Sequence, residues 1–215
     1  MRRVTPRLPE PPGARAGVEG SGPRLRLLIV GDSSAAGVGV STQDEAISGQ
    51  LVSQLRSTFQ VAWKLRAQTG HAIREVVADL ESASAEAFDV ALISVGVNDV
   101  TGRTSSRAWT TQHAKLIELL KTKFGVQHIL LSSLPPMHRF PALPQPLRWY
   151  LGTRAKQLNS ILQKIEIADA QCELIPIHFP LETKYVAADG FHPGSLAYAV
   201  WGRRVADTIR RRIQA

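Results

Sequence analysis

Four polar residues and one glycine stand where a reaction could be run. Ser33 lies in Gly31-Asp32-Ser33-Ser34-Ala35-Ala36-Gly37, a run of small residues directly after the apolar stretch 25–30. A hydroxyl at a strand exit, among side chains small enough to let a substrate approach the backbone, is placed for nucleophilic attack. Gly-Asp-Ser is also an ordinary tight turn, so the motif by itself decides little. His192 follows Asp189 by three residues in Asp189-Gly190-Phe191-His192-Pro193, close enough for a turn to bring the carboxylate to the imidazole Nδ1. Acyl-bond hydrolysis needs a nucleophile, a base, a group that orients the base, and donors for the oxyanion. Ser33, His192 and Asp189 can supply the first three. The backbone N–H groups of Ser33 and Gly70 and the side-chain amide of Asn98, in Gly96-Val97-Asn98-Asp99, can supply the donors. Ser34 remains a rival nucleophile at this stage.

These residues need a scaffold that gathers them, and the hydropathy pattern provides one. Residues 25–30 and 89–95 are near-continuous apolar runs, the form of strands buried on both faces. Residues 127–133 form a further strand; 61–67 alternate in the manner of an edge strand with one wetter face; 173–179, broken by Pro176, also belong at an edge. Helical spacing appears from Thr42, where Thr42-Gln43-Asp44-Glu45 has the form of a capping box, and over 71–80, 105–124, 147–169 and 195–213. Alternating strands and helices predict an α/β fold with a five-stranded parallel sheet covered on both faces. Ligands then sit beyond the carboxyl ends of the strands, on the loops 31–41, 68–71, 96–104, 134–146 and 180–194. All five candidate residues fall on those loops. The loop 134–146 holds five prolines, which exclude regular structure. Met137, Phe140, Trp149 and Tyr150 around it either line an acyl pocket or tack the loop to the core.

With these blocks in order, the chain resembles the SGNH hydrolases, also called GDSL-type esterases and lipases. Gly31-Asp32-Ser33 is similar to the nucleophile block, with Ser34 where many members have Leu. Gly70 is similar to the isolated-glycine block, Gly96-Val97-Asn98-Asp99 to the Gly-x-Asn-Asp block, and Asp189–His192 to the closing Asp-x-x-His block. The resemblance covers about 25–213. It implies a three-layer α/β/α, flavodoxin-like fold, a Ser33-His192-Asp189 triad, and oxyanion donors from Ser33, Gly70 and Asn98, with no cofactor and no metal. The expected reaction is hydrolysis of a small-molecule carboxylic ester through an acyl-enzyme, with short to medium acyl chains favoured by the apolar, aromatic loop 134–150. A thioesterase, a carbohydrate deacetylase or a non-catalytic binding module on the same fold is the alternative.

Composition narrows the rest. The chain has 215 residues, one cysteine (Cys172) and a net charge of +8. A single cysteine forbids an intrachain disulfide and a Cys-based metal site. His71, His113, His128, His138 and His178 show no metal-ligand spacing and read as structural or exposed. Competing motifs are missing: there is no Gly-x-Ser-x-Gly elbow, no dinucleotide fingerprint after Gly37-Val38-Gly39, and no phosphate loop. Residues 1–23 read as an extended or disordered basic leader, and 24–215 as the hydrolase domain. The first 26 residues carry six Arg against two Glu, and Arg203, Arg204, Arg210, Arg211 and Arg212 crowd the last helix. With no nucleic-acid motif beside it, this charge gives no expectation of a nucleic-acid partner; it allows weak association with an anionic membrane through the basic termini. No apolar run approaches the ~20 residues a bilayer needs, and no apolar signal segment follows the first arginines. The expectation is a cytoplasmic protein, its oligomeric state left open.

Overall fold

The computed structural model describes residues 8–140, 143–177 and 182–214. The first seven residues of the basic leader, Pro141 and Ala142 of the proline-rich loop, and His178 and Phe179 lie outside them. Six strands form one sheet: β1 (Ala16–Glu19), β2 (Arg24–Gly31), β3 (Gln60–Ala67), β4 (Val90–Ser94), β5 (His128–Ser132) and β6 (Cys172–Ile175), in the order β1-β3-β2-β4-β5-β6. The last five run parallel, as the sequence predicts, while β1 is antiparallel to β3. The sheet is therefore mixed, with one strand more than expected.

The additional strand lies in the segment read as leader, upstream of the boundary expected at residue 24. All four β1 residues are exposed. Its position comes from pairing Ala16–Glu19 with Lys64–Val61, not from burial of its own side chains. For the same reason β3 is not an edge strand. Its alternating burial persists because β1 covers its backbone but leaves one face wet. The strand expected over 173–179 is an edge strand, as its proline suggests, but β6 stops at Ile175, just before Pro176.

Helices cover both faces. Strand side chains alternate between the two layers, with Leu28, Val30, Ala91, Ile93, Ile129 and Leu131 on one side and Leu25, Leu27, Ile29, Val90, Leu92 and Leu130 on the other. The first layer packs on α3 (Ile73–Ser82), α5 (Ser106–Thr122) and α6 (Leu147–Ala168), through residues such as Leu80, Trp109 and Leu158. The second packs on α1 (Ser33–Ala36), α2 (Ile47–Leu55) and α7 (Ser195–Gln214), through Leu51, Leu55, Tyr198 and Val205. Each fully buried Leu or Ile is worth about 1.5–3 kcal/mol of transfer free energy, so these layers hold the sheet. The architecture is a three-layer α/β/α, flavodoxin-like sandwich.

Two local expectations shift. The Thr42–Glu45 capping box is not used: α2 begins at Ile47, and Glu45 Oε2 accepts from the Ser41 amide instead, 3.1 Å away. Ser105, by contrast, caps α5 with its Oγ accepting from Ala108 N. Short helices α1 and α4 (Val97–Thr101), at the exits of β2 and β4, replace what read as loop. Among the described residues no helix is long and apolar enough to cross a membrane, and no group of three His, Cys, Asp or Glu could hold a metal ion.

Candidate active site

β2 ends where it meets the next strand most closely. A Cβ on Gly31 would sit 1.8 Å from the Ser94 carbonyl oxygen of β4, so only glycine fits. The Asp32 amide then donates to that same oxygen, at 2.9 Å. Asp32 turns the chain by capping α1, its Oδ1 accepting from Ser34 N at 3.0 Å. Ser33 is thereby the first residue of α1, its own N–H free of any helical partner by position. Asp32 is buried. Desolvation raises its pKa against hydrogen bonds from the amides of Ser34, Gly96 and Val97, and the carboxyl is pushed up to about 7. From the other side, the Tyr198 hydroxyl of α7 lies 3.0 Å from Ser34 O and 2.8 Å from Val38 O and ties the loop down.

The loop before α7 is built around Asp189. Its Oδ1 accepts from the amides of Phe191 (2.9 Å) and His192 (3.0 Å), and its Oδ2 lies 2.5 Å from His192 Nδ1. Burial raises the Asp189 pKa, but the bonds from the His192 ring, the His192 amide and the Phe191 amide together outweigh it, and the carboxyl is held below 3.8. A carboxylate accepts only, so Nδ1 carries the proton and Nε2 is left with a lone pair. That Nε2 lies 2.9 Å from Ser33 Oγ, 159 residues away in sequence. Ser33, rather than Ser34, is the hydroxyl that meets His192.

Gly70 and Asn98 flank this chain at the exits of β3 and β4. Asn98 Nδ2 donates to the carbonyl of His71 at 2.9 Å, which couples α4 to the Gly70 turn. Gly70 has φ +90°, and a Cβ there would meet nothing within 4 Å. The turn, not crowding, requires the glycine. Asp99 braces the same region, accepting from Ile73 N and Thr104 Oγ1. Neither Gly70 nor Asn98 lines the cleft beside Ser33.

That cleft encloses about 580 Å³ counting its open mouth. Ser33, His192, Ser94, Val97, Leu134, Phe140, Phe191 and Trp201 are among its walls. Of the four residues around the proline-rich loop, one takes each of the two roles foreseen for them and two take neither. Phe140 lines the cleft, packed edge-on to Phe191 with ring centroids 5.4 Å apart. Met137 is buried in the core, and Trp149 and Tyr150 are exposed. His113 is buried, with Nδ1 3.1 Å from Trp109 O and its pKa pushed down to about 4 by burial. Arg212 Nε donates to His128 Nδ1, and His138 is exposed. Cys172 is buried, its thiol pKa pushed up to about 12 by desolvation.

Two supporting residues, Glu10 and Asn159, carry no local signature in the sequence. Glu10 Oε1 accepts from Thr69 N at 2.6 Å and its Oε2 from Arg15 at 3.0 Å, so the segment before β1 braces the Gly70 turn. Asn159 of α6 holds both backbone groups of Leu134, at 2.7 and 2.9 Å, and fixes the start of the proline-rich loop.

A flavodoxin-like sandwich with a hydroxyl at the first parallel strand's exit and a histidine before the last helix is the architecture of the SGNH class of hydrolases. Residues 29–200 match the GDSL-like lipase/acylhydrolase family, and the chain belongs to that family. No curated protein matches the sequence. Among solved structures, a member of the lipolytic G-D-S-L family from Veillonella parvula DSM 2008 is similar at 16% identity and TM-score 0.66, over 87% of this chain and 99% of that one. A lipase/acylhydrolase from Enterococcus faecalis is similar at 19% identity and TM-score 0.67, over 87% and 96%. Est24, a carbohydrate acetylesterase from Sinorhizobium meliloti, is similar at 14% identity and TM-score 0.64, over 87% and 99%. At these identities the likeness is one of fold.

Proposed function

We propose that this protein is a serine esterase that hydrolyses carboxylic esters of short to medium acyl chain through an acyl-enzyme on Ser33. The observation that carries the reading is the unbroken chain from Ser33 Oγ to His192 Nε2 at 2.9 Å and from His192 Nδ1 to Asp189 at 2.5 Å. Ser33 Oγ attacks the ester carbonyl carbon while Nε2 takes its proton. Asp189 stabilises the imidazolium that forms. The negative charge on the carbonyl oxygen is met by the Ser33 N–H and, from outside the cleft walls at the exits of β3 and β4, by the Gly70 N–H and the second Nδ2 hydrogen of Asn98, the first being spent on His71 O. Collapse of the tetrahedral intermediate expels the alcohol, which takes the proton from Nε2. Water then repeats the sequence on the acyl-enzyme and frees the acid. The cleft, with Leu134, Phe140 and Phe191 in its walls, offers an apolar surface to an acyl chain of that length.

The test is Ser33→Ala. Turnover of a simple aryl ester falls by at least about 10³-fold. The melting temperature stays close to wild type, since among the described residues Ser33 Oγ hydrogen-bonds only to His192. An organophosphonate labels Ser33 in the wild type. Undiminished turnover in the variant sinks the assignment.

A further inference from the structure

The cleft beside Ser33 is not uniformly apolar, and its polar side has hydrogen-bonding groups to spare. On β4 and β5 the side chains of Ser94 and Ser132 follow the alternation of Leu92 and Leu130, so both fall on the α7 side of the sheet. Trp201 of α7 stands on that side too. All three line the cleft, opposite Leu134, Phe140 and Phe191, which belong to or pack on the other layer.

Two of these groups are buried without a partner: Ser132 Oγ and Trp201 Nε1 accept from or donate to no described residue, although Ser132 is only 5% and Trp201 only 3% exposed. The buried side-chain atoms in the same condition on Trp63, Trp109 and Arg148 do not line the cleft. A buried polar atom left unpaired is costly, and a hydrocarbon chain laid against it leaves it so. A seryl hydroxyl both donates and accepts, and an indole N–H only donates. An oxygen on an acyl chain that reaches this side of the cleft would find a donor in Trp201 Nε1 and a donor or acceptor in Ser132 Oγ, while Phe140 and Phe191 in the facing wall take the chain's carbon.

From this we infer that the cleft selects hydroxy- or oxo-substituted acyl groups over plain alkanoyl ones, with Trp201 and Ser132 as the specificity-determining residues. The inference rests on the esterase reading above and names its substrate class.

The experiment compares p-nitrophenyl 3-hydroxybutyrate with p-nitrophenyl butyrate, leaving group and chain length held constant. The ratio of their kcat/KM values is divided by the ratio of their alkaline hydrolysis rates, which removes intrinsic reactivity. Two neutral hydrogen bonds give a corrected ratio on the order of 30 in the wild type, and Trp201→Phe or Ser132→Ala each lowers it about fivefold. Trp201→Phe keeps an aromatic ring in the wall; if its packing fails, Ser132→Ala and the wild-type ratio still decide. A corrected ratio below about 2 in the wild type, or one that both variants leave unchanged, overturns the inference. Organophosphonate labelling separates the two failures. A labelled Ser33 with a flat ratio overturns the acyl-group inference alone, whereas an unreactive Ser33 overturns the esterase reading and this inference with it.

Discussion

Replacing Asp189 by Asn tests the proposed mechanism at its most geometric point. Both substituents have the same shape, so what changes is donor and acceptor order. Oδ1 accepts two backbone amides, from Phe191 and His192, and Oδ2 faces Nδ1. An asparagine keeps its carbonyl toward the two amides, because its NH₂ cannot meet two N–H groups. Its Nδ2 then faces His192 Nδ1, and two donors cannot share that 2.5 Å contact. The imidazole answers by moving its proton to Nε2. The nitrogen beside Ser33 Oγ becomes a donor and can no longer take the hydroxyl proton. To react, the ring must return to the Nδ1–H tautomer against a facing N–H. That forfeits a hydrogen bond to a charged group, about 1.5–3 kcal/mol, and strands a buried donor at about 1–3 kcal/mol. Together these make about 2.5–6 kcal/mol, or roughly a 10²- to 10⁴-fold loss in kcat/KM. The assay is hydrolysis of an aryl ester by Asp189→Asn, with the labelling rate of Ser33 by an organophosphonate alongside. Both fall in parallel while thermal unfolding stays near wild type, since the backbone bonds survive. Asp189→Ala, which removes those bonds as well, lowers both activity and melting temperature. An Asp189→Asn variant within tenfold of wild-type kcat/KM refutes the proton path through Nδ1.

Asn98→Ala removes a proposed oxyanion donor and is expected to cost on the order of 10²-fold in kcat; a loss under about threefold counts against that role. Gly31→Ala drives a Cβ to within 1.8 Å of a backbone oxygen that β2 and β4 hold in register, so it destabilises by about 3 kcal/mol or more, read by chemical denaturation. A variant as stable as wild type would mean that the two strands can part there without cost. The buried Asp32 makes stability depend on pH. Its carboxyl pKa is about 7 in the fold against 3.8 ordinarily, so the native state holds a proton that the unfolded chain releases. The stabilisation is complete below pH 3.8 and is lost as pH rises through 7, a change on the order of 4 kcal/mol. Asp32→Asn removes that dependence, so the wild type loses stability relative to the variant between pH 5 and pH 8; identical pH profiles would contradict it.

What the sequence reveals of the fold follows from where each element gets its definition. β2 and β4 are legible because burial on both faces demands a near-continuous apolar run, and Leu27–Val30 and Val90–Ile93 show one. β1 is invisible for the opposite reason: four exposed residues bury nothing, and only the unpaired edge of β3 makes Ala16–Glu19 a strand. Once β1 is unseen, β3 reads as an edge, and one omission produces a second. The Thr42 motif misleads because a capping box states a local preference. Here Gln43 is drawn instead into bonds with Ala36 O and Ser48 Oγ, and the chain enters α2 only after that anchor, at Ile47.

The candidate site is more legible than the frame that holds it. A parallel sheet gathers its strand exits on one rim, so residues distant in sequence can be judged by type and order alone. Ser33, Gly70, Asn98 and the Asp189–His192 pair each sit at such an exit, and the last pair needs only a tight turn. Order and type do not say which of two adjacent hydroxyls turns inward, and the choice between Ser33 and Ser34 requires the geometry of the Asp32 cap. Nor do they say what faces the substrate beyond the reacting atoms. Ser132 ends β5 and Trp201 lies on α7, and in sequence each is one more serine or aromatic residue. Their common position depends on the pleat of β5 and the phase of α7 where that helix crosses the sheet. Residue types common to a family are thus readable at strand ends, whereas the acyl-group preference inferred for Ser132 and Trp201 rests on neighbours that only the folded chain supplies.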